Sequence, residues 1–137
     1  TMTIYYLKLY LLTIPLFFAI DLLWLGVLAK NFYQNNLSHL LSPAVNWPAA
    51  LLFYFMYIAG IILFAVKPGL DAESQGKAII WGALFGFFTY ATYDLTNLAT
   101  LRDWPIKVVV VDIIWGTLLC TLVASGSYQI GRWLNSG

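Results

Sequence analysis

IKVVVVDIIWGTLLCTLVASGSYQI, residues 106–130, decides the fold. The run is long enough to cross about 30 Å of hydrocarbon, which takes roughly 20 residues of helix. Lipid offers no partners to backbone N–H and C=O groups, so such a segment is either a helix or a barrel strand. It is too long for a barrel strand, and its polarity does not alternate. It is therefore read as a membrane helix.

Working outward, three similar stretches lie at about 5–28, 49–66 and 78–100. Of the 137 residues, 61% are hydrophobic and 9% are charged, against about 25% charged in soluble domains. Aromatic residues reach 18%, a share that suits interfacial aromatic belts. With a formal net charge of +1, nothing suggests a nucleic-acid partner. Cys120 is the lone cysteine, which excludes an internal disulfide and a Cys-rich zinc site. The expected fold is all-α: one domain over 1–137, a membrane-spanning four-helix bundle with a longer interfacial loop between helices 1 and 2.

Local signals mark the spans. Pro15 is expected to bend the first. That span is too long for a cleavable signal peptide and carries Lys8 and Asp21. Thr1 reads as an appended residue, with Met2 as the natural start. Trp47-Pro48 opens the second span, and Lys67-Pro68-Gly69 is expected to stop it. Trp104-Pro105 precedes the fourth. The polar-aromatic segment 29–47 is read as a short interfacial helix or lid, because long loops in compact domains are usually functional or structured. Lys8, Lys67, Lys77 and Arg132 on one side, against Lys30, Arg102 and Lys107 on the other, favour cytoplasmic N- and C-termini.

Three of the six acids, Asp21, Asp94 and Asp112, fall inside spans. Each costs about 2.5–3.5 kcal/mol at the bilayer centre. Asp21 lies seven residues before Leu28, Asp94 six before Thr100, and Asp112 seven after Pro105. At 1.5 Å per residue all three stand about 9–10 Å from the same membrane face. Asp-x-x-Trp occurs twice, as Asp21–Trp24 and Asp112–Trp115, while Tyr90 and Asn97 share a helix face with Asp94. Tyr54 reaches the same level from the second span. One polar layer of Asp21, Trp24, Tyr54, Tyr90, Asp94, Asn97, Asp112 and Trp115 is therefore expected.

No base lies mid-span, so the acids must be protonated or meet a cation. Protons, a metal ion on Asp21, Asp94 and Asp112, a cationic substrate, or a snorkelling Lys107 or Arg102 would each serve. His39, in the loop over that face, is a candidate lid residue or proton shuttle. Gly82-x-x-x-Gly86 and Gly116-x-x-x-Cys120-x-x-x-Ala124 are small-residue stripes that let helices approach closely. No serine-hydrolase, phosphate-loop or zinc-protease motif is present.

Asp21-Leu-Leu-Trp24-Leu-Gly26, Asn46-Trp47, Tyr93-Asp94-Leu-Thr-Asn97-Leu-Ala-Thr100 and Asp112-Ile-Ile-Trp115-Gly116 resemble a bacterial integral membrane family, domain of unknown function 2177. The resemblance implies a multi-pass protein of the bacterial inner membrane and assigns no activity. Three function classes stand open. The leading one binds or moves protons or a small cation at the Asp layer. A membrane enzyme acting on lipid would use two Asp with His39 as helper. A scaffold would use the layer only to fix helix register. No cofactor is evident beyond a bound cation. Membrane lipids, protons or a small cation are the expected partners, with a homodimer as a further option because four helices make a narrow pathway.

Overall fold

A computed structural model describes residues 2–136; Thr1, read as an appended residue, and Gly137 lie outside them. The described residues are all-α, without a strand. Helix α1, Met2–Leu23, continues past Pro15 into a widened turn, Trp24–Leu28. There the Ala29 N–H reaches back five residues to the Trp24 carbonyl at 2.7 Å. Helix α2, Lys30–Leu37, fills part of the long connection. Helix α3, Trp47–Ile61, passes through a second widened turn, Ile62–Val66, into α4, Lys67–Asp71. Helices α5, Gln75–Thr100, and α6, Ile106–Ser136, complete four long helical rods.

Sequence chemistry sets the starts. The Asn46 side chain accepts from the Ala49 N–H at 3.2 Å with Pro48 in the first turn, and Ser74 caps α5 through the Lys77 N–H at 3.1 Å. Pro105 starts α6, its carbonyl accepting from Val108 at 3.1 Å. The expected stop at Lys67-Pro68-Gly69 is corrected: the rod continues to Asp71. After a turn that bonds five residues back, the missing Pro68 N–H falls at the start of a fresh helical turn, where it costs little. Gly69 has no positive φ and serves close packing instead, since a Cβ there would stand 2.6 Å from that of Ala78. The reversal comes at Glu73, whose φ is 49°.

Three rods, Met2–Leu28, Trp47–Asp71 and Ile106–Ser136, are long and apolar enough to cross a membrane. α5 has the length, but Thr, Tyr, Gly, Asp94 and Asn97 dilute its apolar character, so it falls outside that set. Outward faces carry exposed Leu52, Met56, Phe88, Ile114 and Leu118. A continuous apolar surface of this kind is a liability in water and suits hydrocarbon.

α5 and α6 make the most intimate pair. A Cβ on Gly86 would fall on the Gly116 carbonyl, and one on Gly116 would enter the Tyr90 ring. The main core, with Phe17, Ile58, Ile61, Leu119 and Val123, occupies the half of the molecule towards the C-terminal end of α6. A second cluster joins Leu37 of α2 to Trp104, Val108 and Val109 at the other end. Between the two clusters lies a cavity.

Candidate functional site

The cavity has a volume of about 720 Å3. The first rod contributes Asp21 and Leu25 to its wall, and α6 contributes Val108, Asp112 and Trp115. α3 presents Phe53, Tyr54 and Tyr57, facing Thr89, Tyr90 and Tyr93 of α5. Tyr33, Leu37, Leu41, Val45 and Trp104 close it from the connections. Eight of these sixteen residues are aromatic and two are acids; none is Lys or Arg.

Asp112 is buried and accepts a hydrogen bond from the Tyr33 hydroxyl at 2.8 Å. Tyr33 in turn accepts from the Trp24 indole at 3.0 Å. Burial, and then the charge of Asp112, push the Tyr33 hydroxyl well above the ordinary phenol range. Tyr33 therefore stays protonated at physiological pH and remains a donor to the Asp112 carboxyl. The Trp24 indole lies flat on that of Trp115, with centroids 4.6 Å apart and planes 8° from parallel. This stack joins the first rod to α6 directly beside the two acids, and each tryptophan is held by its place in Asp-x-x-Trp. Asp21 is buried next to Trp115, Tyr54 and Asp112.

Asp94 behaves differently. It has no exposure, it is not on the cavity wall, and neither carboxyl oxygen has a hydrogen-bond partner. Its polar neighbours are Asp112 and the Trp104 indole, both short of hydrogen-bond geometry. The buried indole N–H groups of Trp104 and Trp115 are unpartnered as well. Buried polar groups are nearly always paired, so this concentration of unpartnered atoms sets the region apart from the rest of the interior.

Residues 6–129 match the family described as "Predicted membrane protein (DUF2177)". The chain belongs to that family. No curated protein and no solved structure matches it. The site of this DUF2177 protein thus has to be understood from its own geometry.

Among the residues expected in the polar layer, Asp21, Tyr54, Tyr90, Asp112 and Trp115 line the cavity. Trp24 stands behind them in the stack, and Asn97 is half-buried beside Tyr93, away from the wall. His39 is exposed, its Nε2 2.9 Å from the Asp103 backbone carbonyl, and does not line the cavity. Lys107 and Arg102 are exposed too. The ion pairs among the described residues, Lys67–Asp71 at 2.8 Å and Arg132–Glu73 at 3.9 Å, sit at the opposite end. The described residues contain no group of three or more His, Cys, Asp or Glu placed to hold a metal.

Sequence reasoning missed Tyr33, Tyr93 and Trp104. Tyr33 carried one usable signal: it shares a helical face with Leu37 at i+4, which makes α2 a packing helix rather than an open lid. Its bond to Asp112, 79 residues away, leaves no trace in local spacing.

Proposed function

We propose that the chain is a four-helix membrane protein, with α5 as the fourth crossing, that binds a small organic cation at Asp21 and Asp112 and exchanges it for protons. The observation that carries this reading is one cavity with two carboxyl groups, eight aromatic rings and no base. Aromatic faces attract cations electrostatically, most strongly when both are shielded from water. A volume of about 720 Å3 lies in the roughly 300–1,000 Å3 range of small-molecule sites. It would hold about two dozen waters at about 30 Å3 each, far more than a bare metal ion needs. Protons compete with a cation for the same carboxyl oxygens, so uptake of one favours release of the other.

The unpartnered indoles favour binding over a purely architectural layer. A layer that only fixed helix register would be expected to satisfy its own donors, whereas the indoles of Trp104 and Trp115 face Asp94 and Asp21 without completing a hydrogen bond. The wall also lacks His, Cys, Ser and Lys, and its one aliphatic hydroxyl, on Thr89, bonds to Tyr57 and the Phe85 carbonyl. Those features favour binding over nucleophilic chemistry.

Thermal unfolding in detergent tests the reading, with tetramethylammonium as probe and sodium as ionic-strength control. A ligand held only by the folded state stabilises it by about 2.7 kcal/mol at a hundredfold excess over Kd. Stabilisation by tetramethylammonium is expected at neutral pH, fading on acidification and absent in Asp112→Asn. Equal melting with both salts at every pH overturns it.

A further inference from the structure

The cavity is not closed on all sides. α5 packs along Ile62–Val66 and α4 but scarcely touches α3. The two helices meet at a vertex, where the Tyr57 and Thr89 hydroxyls stand 2.7 Å apart and the Tyr57 and Phe85 rings 5.2 Å apart. Gly60 permits this approach, since a Cβ there would lie 2.9 Å from the Phe85 ring. One helical turn beyond the vertex, Phe53 on α3 and Tyr93 on α5 both line the cavity and remain half exposed. α3 and α5 thus form the two sides of a V-shaped cleft with its gap to the side of the molecule. Leu41 and Val45 overhang the cavity from the connection. The surfaces flanking the gap, at Leu52 and Met56 on α3 and Phe88 on α5, are exposed and apolar.

We infer that the ligand is a cationic amphiphile, its ammonium head at Asp21 and Asp112 and its single apolar chain leaving between Phe53 and Tyr93 into the lipid. This rests on the cation-binding reading above and adds the ligand class and its route. A hydrated inorganic ion has no use for a gap that opens on hydrocarbon. An apolar molecule without charge would gain nothing at the acids, and lipid chains already match the apolar walls. Discrimination therefore falls on the head, while the chain gives access from the bilayer.

The test uses the full chain in lipid nanodiscs and a trimethylammonium probe that carries a photoreactive diazirine part-way along its apolar chain, at the level of the gap. Labelling is expected to concentrate on Phe53 and Tyr93. Excess tetramethylammonium should displace it from the parent protein, and Asp112→Asn should reduce it more than about tenfold. Competition in the parent keeps the test valid if that variant fails to fold. Labels spread evenly over Phe88, Leu118 and other outward positions, with tetramethylammonium still stabilising the protein, would overturn the amphiphile while leaving the cation site standing. Even labelling without any tetramethylammonium response would overturn both.

Discussion

The two halves of the molecule treat polar groups in opposite ways. Towards the C-terminal end of α6, no buried side-chain nitrogen or oxygen among the described residues lacks a partner. Thr13 and Ser127, both fully buried, sit 2.8 Å apart, and Thr13 also donates to the Leu9 carbonyl at 2.7 Å. At the edge of this half, Gln75 donates to Ser125 at 2.9 Å and accepts from the exposed Gln129 at 2.7 Å. Around the cavity, Asp94, Trp104 and Trp115 have none. A buried group left unpaired costs about 1–3 kcal/mol, so the first half gives up less stability to its polar groups than the second.

Breaking the closed half should have the largest effect. Gly82→Leu drives a side chain into Ala124 and the Cys120 carbonyl; a loss of about 3 kcal/mol is expected in chemical unfolding, with reduced folded yield. Thr13→Val leaves Ser127 without its partner and should lose about 1–3 kcal/mol by the same measurement. The cavity half should respond less in stability and more in binding. Tyr33→Phe removes the donor to Asp112: about 1 kcal/mol of stability is expected to go, together with a change in tetramethylammonium affinity that Thr13→Val does not produce. The smallest stability effect is assigned to Asp94→Asn. Its oxygens have no bond to lose, so the melting temperature should hold or rise. A large loss there would show Asp94 to be part of a satisfied network and would erase the contrast between the halves.

Much of this organisation was legible because apolar length and helical spacing are local properties. Residues 106–130 signal a helix from their own composition, and the two Asp-x-x-Trp repeats put each tryptophan on the face of its acid. The small-residue stripes show where α5 meets α6, since Gly86 and Gly116 permit that contact. The sequence does not reveal what depends on the path of the backbone. The rod runs past Lys67-Pro68-Gly69 because the widened turn before it absorbs the proline. Equal depth brings Asp94 beside Asp112 in the interior, but behind the cavity wall rather than on it. Tyr33 comes from a connection, and the side cleft arises from the divergence of α3 from α5, which no single segment encodes.

The widened turn at Trp24–Leu28 has a consequence for how the chain tolerates changes in length. A turn that bonds five residues back holds one residue more than an α-helical turn. Deleting a single residue there would restore ordinary helical bonding while leaving α1 and α2 in nearly their present relation. The same deletion at Val110 in α6 would rotate all that follows by about 100° relative to what precedes it, carrying Asp112 and Trp115 away from the cavity. A one-residue deletion is therefore absorbed next to the site on one rod and forbidden on its neighbour.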